Sequence, residues 1–506
     1  MASDLAAPTA TGPTDRGSAT SSSPVRRAGL GLLSVALLFL VVQLVLVPRP
    51  FGLSVDEANY LAKVDPAVPE LNWTAPRAWG MPVLAAPVAF FSVDLAVIRL
   101  YFGVLASAGL AAAFWPWLRV LHPAAAPLAA LLFSTTWFTV FFGSELMPNL
   151  YVALGAVGLG GLFLRSVQLP TWWRTALVGM VSAFIALVRP TDSVLVVAPL
   201  VIGALLVPRL RRPASLAAVI VGCGAGWLPW VVEAFARFGG PLTRLEVAET
   251  TGPQGLGLNL SGLLTLPRLL DGNPTYCCYG GPPSDAGPVP ILLTLWLLAV
   301  TVAALVGVAF AARQHRLPEM LVVCLPAGLL AAFYLLLPSF LTMRFLLPVF
   351  ALLALPVATA VVSLIAGSRG RWRSAAVAVI TVGVLTHIIG MLAIAEHALD
   401  HTAARRNLAL QNAAALRPLI AGRPCLVVGV QAQTTAFYAR CRVQGASARP
   451  RPPERVRTAQ AEGRFLVALL STPPDPDSYL ASWREVEVPG LVDGFQAYLP
   501  PAQSLR

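Results

Sequence analysis

The sequence predicts a polytopic α-helical membrane protein with about eleven transmembrane helices and a small soluble α/β domain at its C-terminus, on the outer face. Three observations predict it. Of 506 residues, 57% are hydrophobic and only 12% charged, about half the charged share of an average soluble domain. Apolar runs recur between residues 29 and 395, at lengths near the roughly 20 residues needed to cross the hydrocarbon core. Beyond residue 395 those runs stop, and Pro, Arg and Asp rise.

Met1 to Pro24 is rich in Ser, Thr, Ala and Pro. Residues 1–28 therefore read as a disordered cytoplasmic tail. The first apolar run ends at Val47 without a small-residue cleavage site, so it reads as a retained span rather than a removed signal. Spans are expected at 29–47, 95–118, 125–143, 146–165, 175–189, 192–208, 215–235, 289–311, 319–337, 345–366 and 374–395. Trp79 to Phe91 is apolar but short, and reads as a re-entrant or interfacial segment. The break at Arg189-Pro190 suits either a kink or a turn; the 34 residues from Thr175 to Pro208 favour two spans.

Charge placement supports an odd number of spans. With Arg26 and Arg27 inside, the inner loops hold Arg119, Arg165, Arg174, Arg209, Arg211, Arg212, Arg313, Arg316, Arg369, Arg371 and Arg373. Glu319, at a span edge, is the one acid among them, whereas Asp56, Glu57, Asp65, Glu70, Glu145 and Asp192 fall outside. This is the positive-inside pattern. It accounts for the net charge of +12 without invoking nucleic acid, for which no interleaved aromatic and basic groove is visible. The protein is thus expected in the plasma membrane, multi-pass, with its N-terminus cytoplasmic. The membrane domain is 29–395, with outer loops 48–94 and 236–288, and the outer α/β domain is 396–506. In that tail, 425–430 and 464–470 read as buried strands, and 484–498 as one or two more around Pro489-Gly490. The Ala- and Arg-rich composition suggests a GC-rich bacterium such as an actinobacterium.

Cys223 and Cys324 lie in spans and read as small packing residues. Cys277, Cys278, Cys425 and Cys441 fall outside, where disulfides persist. Cys425 and Cys441 are a candidate bridge, and adjacent Cys277-Cys278 could pair with each other or elsewhere.

The stretch Ser54-Val-Asp56-Glu57-Ala-Asn59-Tyr60 follows the first span. A carboxylate pair there suits either a solvated loop or a site. Arg99 heads the second span, Arg189 ends another, and Arg344-Phe-Leu-Leu-Pro348 opens the tenth. Arg189 and Arg344 sit at outer helix ends, against the charge bias. Ionisable groups at membrane depth are functional candidates, the alternative being snorkelling to headgroups.

The order of these features resembles the GT-C glycosyltransferases, and is most similar to the protein O-mannosyltransferase and aminoarabinose transferase type. It runs from an Asp-Glu-x-x-Tyr loop through Pro82 and Arg99 to Glu145, Leu187-Val-Arg189-Pro190 and Arg344-Phe-Leu-Leu-Pro348, over residues 29–366. The resemblance implies transfer of a sugar from a polyprenyl-phosphate carrier to a glycan, lipid or protein acceptor outside, with inversion. Asp56 would be the base, and Glu57 would orient the site or help hold a divalent metal where one is used. Arg344 would bind the donor phosphate, with Arg189 and Arg99 as further candidates. Tyr60, Arg77, Glu145 and Tyr276 complete the candidate site. The second outer loop, with a helix at 260–270, would cover it. The usual basic residues of the first loop are reduced to Lys63 and Arg77, and the MIR-type insert is absent, which leaves the sugar and the acceptor open.

Two readings compete with the enzyme. A transporter or flippase would place polar groups near the midplane of several spans, yet those positions are nearly all apolar. A non-catalytic scaffold presenting the tail would not explain Asp56-Glu57 together with Arg344.

Overall fold

The computed structural model describes residues 24–503, except 70, 252–256, 259, 261–262, 264–265, 267–268, 273–287, 339–340, 430–431, 448 and 502. Its membrane part is a helical bundle. The long helices are α1 (Pro24–Leu46), α4 (Leu95–Phe114), α7 (Pro148–Gln168), α8 (Trp172–Val188), α9 (Pro190–Leu206), α10 (Pro213–Phe238), α12 (Pro288–Arg313), α13 (Leu317–Leu336), α14 (Leu347–Gly367) and α15 (Gly370–Ile420). Between them lie the shorter α2 (Val55–Leu61), α3 (Gly80–Phe91), α5 (Ala125–Ser134), α6 (Trp137–Gly143) and α11 (Pro241–Thr251).

All eleven expected spans meet helix, but not equally. Among the described residues, eight helices are long and apolar enough to cross a bilayer. A ninth span is the pair α5 and α6, bent by 77° between Ser134 and Trp137. The remaining two, α8 and α9, have 17 residues each.

Arg189-Pro190 is a turn between two antiparallel helices rather than a kink. Pro190 sits at the first position of α9, where a missing N–H costs nothing, and Arg189 is extended at φ −152°. Helices α8 and α10 then run parallel, which requires α9 to return between them. Their contact is built on small residues. A Cβ on Gly222 would lie 2.1 Å from the Gly179 carbonyl, and one on Gly226 would lie 2.2 Å from that of Ala183. In lipid, where burial of apolar side chains gives little drive, close backbone approach is what holds such helices together.

The core sits around α7, which is 83% buried along its span, against 17% for α12 and 6% for α15. Trp117 and Ile185 pack against its glycines: a Cβ on Gly161 would meet the Trp117 ring at 2.8 Å, and one on Gly155 would meet Ile185 at 2.7 Å.

One end of the bundle gathers α2, α3, α11 and the C-terminal region, and is called here the site face. Helix α15 does not stop near residue 395. It continues to Ile420, so the expected boundary at 396 lies within one helix of about 75 Å. Its second half stands on the site face and carries a five-stranded sheet. The strands are β1 (Cys425–Gly429), β2 (Arg442–Gln444), β3 (Phe465–Leu470), β4 (Arg484–Val486) and β5 (Gln496–Leu499), in order β2-β1-β3-β5-β4. The first three are parallel, joined through α16 (Ala432–Ala439) and α17 (Glu454–Ala461), and β5 and β4 are antiparallel. Continuous apolar runs in β1 and β3 fit strands covered on both faces. A Cys425–Cys441 disulfide joins β1 to the residue before β2. Cys277 and Cys278 lie outside the described residues, as does most of 260–270.

The glycine contact gives a discriminating test. Gly222→Leu should destabilise the protein by about 1–3 kcal/mol through overpacking, read as a lower thermal unfolding midpoint in detergent. Gly224→Leu, on the same helix with open space around it, should leave the midpoint unchanged. Equal effects at both positions would refute the packing model.

Candidate active site

The site is built on the short helix α2. Ser54 caps it in a reciprocal box: Ser54 Oγ accepts from the Glu57 N–H, and the Ser54 N–H donates to Glu57 Oε2. This is the local reason that Ser-x-x-Glu starts a helix here. Asp56 and Glu57 are adjacent on that helix, so their side chains point about a quarter-turn apart. That angle separates their roles.

Glu57 points inward and is fully buried. Arg99 of α4 forks onto both its oxygens, with Nη2 to Oε2 at 3.1 Å. The Leu146 N–H donates to Oε1 at 2.9 Å, and Arg406 of α15 lies 3.5 Å from Oε2. Burial pushes the carboxyl up, but Arg99 and then Arg406 hold it well below the usual carboxylate range. Arg99 is itself saturated, donating also to the carbonyls of Phe51, Gly52 and Ser144. Glu145 is the second buried carboxylate here, 2.6 Å from Arg406. Burial raises its pKa; Arg406 opposes the rise and the neighbouring Glu57 adds to it.

Asp56 points the other way and keeps 28% of its side chain exposed. Arg77 Nη2 donates to Oδ1 at 2.8 Å, and Arg344 Nη1 donates to Oδ2 at 3.1 Å. Burial raises its pKa, but Arg344 and Arg77 together lower it to about 2. Arg344 stands in the 3₁₀ turn Met343–Leu346 at the head of α14. Its guanidinium lies over the Phe345 ring at 5.5 Å, and that of Arg189 lies over the same ring at 4.9 Å. Arg189 is held by Asp192 at 2.9 Å and by the Tyr334 hydroxyl at 3.0 Å, while Tyr334 donates to Asp192. Arg189 and Arg344 each keep about a fifth of the side chain open, 23% and 22%. Three arginines against Asp56 and Asp192 leave one net positive charge, open to an anion. Tyr60, on α2, is buried against Trp73. Burial and the nearby Asp56 raise its pKa to about 12, so its hydroxyl stays protonated.

The structure thus brings Asp56, Arg77, Arg344, Arg189 and Tyr60 together. Arg99 does not join them. It is buried on the far side of α2 and has no donor left for a phosphate, contrary to expectation. Glu57 and Glu145 sit with Arg99 rather than with Asp56. Tyr276 lies outside the described residues. Sequence reasoning missed Arg406, and also Arg244 of α11. Arg244 is fully buried, pairs with Glu233 at 2.9 Å and donates to the backbone carbonyls of Ala75 and Arg77. It thereby fixes the loop that presents Arg77. The i,i+3 spacing of Arg189 and Asp192 was a readable sign of their pairing; nothing local marks Arg406 or Arg244.

A divalent cation does not fit this donor set. Hard cations need several free oxygen ligands. Both Glu57 oxygens are taken by N–H donors, Asp56 is bracketed by two arginines, and no cluster of three ligating side chains occurs among the described residues.

No family model and no curated protein matches the sequence. Solved structures do match the fold. ArnT from Cupriavidus metallidurans, bound to undecaprenyl phosphate, superposes with a TM-score of 0.62 at 15% identity, over 94% of this chain and 98% of that one. The oligosaccharyltransferase AglB from Archaeoglobus fulgidus, in complex with an inhibitory peptide and a dolichol-phosphate, matches with a TM-score of 0.50 at 13% identity, over 87% and 69%. An Archaeoglobus fulgidus oligosaccharyltransferase in complex with Zn and sulfate gives 0.53 at 13%, over 88% and 68%. ArnT and AglB are GT-C membrane glycosyltransferases. The chain therefore has the GT-C fold that its motif order implied.

The division between the two carboxylates is testable by stability. Glu57→Ala leaves Arg99 buried and unpaired, and should cost about 3–5 kcal/mol. Asp56→Asn, at a partly open position and keeping an oxygen for Arg77 or Arg344, should cost clearly less than Glu57→Ala. Thermal unfolding of both variants in detergent checks this; a Glu57→Ala protein as stable as wild type would refute the burial argument.

Proposed function

We propose that this protein transfers a sugar from a polyprenyl-phosphate carrier to an acceptor hydroxyl on the outer face of the membrane, inverting the anomeric carbon. One observation carries the reading: a half-open carboxylate, Asp56, lies against Arg344, which shares the Phe345 ring with Arg189. The arrangement holds a proton acceptor and an anion cradle side by side. The GT-C fold, and the lipid phosphates bound in the ArnT and AglB structures, support a lipid-phosphate donor. The arginines of the opposite face, on the side of Arg26 and Arg27, support placing the site outside.

Asp56 at rest is a weak base, because a carboxyl near pKa 2 holds a proton poorly. General bases work best with pKa values near the working pH. The donor phosphate corrects this. Its anion engages Arg344 and Arg189 through their planar forks, and drawing Arg344 away removes the strongest influence holding Asp56 down. The carboxylate then accepts the proton of the acceptor hydroxyl as the oxygen attacks the anomeric carbon. The anomeric carbon–oxygen bond breaks, and its electron pair leaves on the phosphate. That leaving group is an anion already, so cationic stabilisation serves it and no proton donor is required. A single displacement inverts the configuration. Asp56, Arg344 and Arg189 carry these steps, and Glu57 enters only as the anchor of α2.

The test uses the protein reconstituted in lipid with polyprenyl-phosphate mannose and polyprenyl-phosphate arabinose as donors. Asp56→Asn should reduce transfer by about 10²–10⁴-fold. Full activity in that variant would end the base assignment, and no turnover of either donor by wild type would count against the enzyme reading. Arg344→Met should raise KM for the donor. It should also move the acid limb of the pH profile upward, since burial then dominates the Asp56 carboxyl; an unmoved limb would exclude the Arg344 pairing as the cause of its low pKa.

A further inference from the structure

The C-terminal arm does more than present a soluble domain. We propose that the second half of α15, with α16, is a clamp that sets the position of Asp56, and that Arg406 is its positioning residue. The inference rests on Asp56 acting as the base. It starts from a weakness of α2. A seven-residue helix is marginal by itself, so α2 stands where tertiary contacts hold it, and Asp56 with it.

The segment that feeds α2, residues 50–54, is gripped from the arm at successive residues. Asn407 donates through Nδ2 to the Pro50 carbonyl at 3.0 Å and accepts the Gly52 N–H on Oδ1 at 3.1 Å. The Leu53 N–H donates to the Tyr438 hydroxyl of α16 at 2.7 Å. The approach is so close that a Cβ on Gly52 would lie 2.9 Å from the Arg406 carbonyl. Arg406 then reaches past this segment. Its guanidinium lies over Phe51 at 5.0 Å and over Phe141 at 5.7 Å, and meets both Glu145 and Glu57. It therefore ties α15 to the loop after α6 and to the residue next to Asp56. None of these arm residues touches Asp56 itself.

These contacts fix orientation rather than donor affinity. Arg77, Arg189 and Arg344, the cations of the anion cradle, are anchored by other elements. Loosening the arm should thus misplace the base while leaving the cradle intact. A displacement of about 1 Å near reacting atoms costs on the order of 10²-fold in rate.

The experiment compares wild type with the Asn407→Ala/Tyr438→Phe double variant and with Arg406→Lys and Arg406→Met, all in the full-length protein. Two readouts are taken. In transfer from a polyprenyl-phosphate sugar, the double variant should lose at least about tenfold in kcat, with donor KM within about twofold. Arg406→Met should lose more than Arg406→Lys, which keeps one cation between the two glutamates. In hydrogen exchange, which needs no activity, amides 52–61 of the double variant should lose protection while β1 and β3 keep theirs. Unchanged exchange at 52–61 overturns the clamp, whether or not any donor is turned over. Lost protection with unchanged kcat in an active enzyme overturns the positioning role. A loss of kcat in step with lost folded protein, seen as equal deprotection of β1 and β3, also overturns it. Absence of turnover by wild type, with the expected exchange pattern, keeps the clamp and rejects the proposed reaction instead.

Discussion

A carboxylate buried to zero exposure cannot stay charged without partners, and Glu57 is buried that completely at the edge of a membrane domain. Removing a charge from water costs several kcal/mol unless good hydrogen bonds and opposite charges replace the water. Here the replacements come from Ser54, the cap of the same helix, and from three distant parts of the chain: Arg99, Leu146 and Arg406. Each reaches Glu57 from a different element, so satisfying one charge fixes α2, α4, the loop before α7 and α15 relative to one another. The rest of the site face is arranged around that requirement.

The same requirement divides a pair of neighbouring acids. On a helix, consecutive residues do not face the same way. With Glu57 drawn inward, Asp56 is turned toward the open side, between Arg77 and Arg344. One residue then anchors the helix and the next faces the open side. Arg77 is presented by a loop whose carbonyls are held by the buried Arg244, and Arg189 is steered by Asp192 and Tyr334. Arg77 and Arg189 thus each have a further residue behind them, which limits the side-chain freedom lost when an anion binds.

Much of the architecture was legible. Apolar runs at membrane length located every long helix, because lipid allows a spanning segment to satisfy its backbone only as helix or closed barrel. The length from Thr175 to Pro208 favoured two spans over one kinked segment, and two helices do meet at Pro190, where proline suits the first position of the second. The apolar runs 425–430 and 464–470 stood out and form strands over 425–429 and 465–470, and the candidate Cys425–Cys441 bridge is present. The helix through residue 396 was not legible. Its composition turns polar where α15 leaves the bundle, and a polar helix beyond a membrane looks locally like the start of a soluble domain.

The order of residues was enough to establish the membrane class, the places of the helices, and the short list of charged residues that a membrane protein retains only for a reason. These follow from the cost of polar groups in hydrocarbon, which is local. Which charge meets which emerges only in the folded chain. Folding pairs Arg99 with Glu57, leaves Asp56 to Arg344, and brings Arg406 across about 350 residues of chain. Pairing of this kind is a long-range packing outcome. It leaves no mark in the spacing of residues, because nothing in a window around Arg406 records the buried carboxylate it must neutralise.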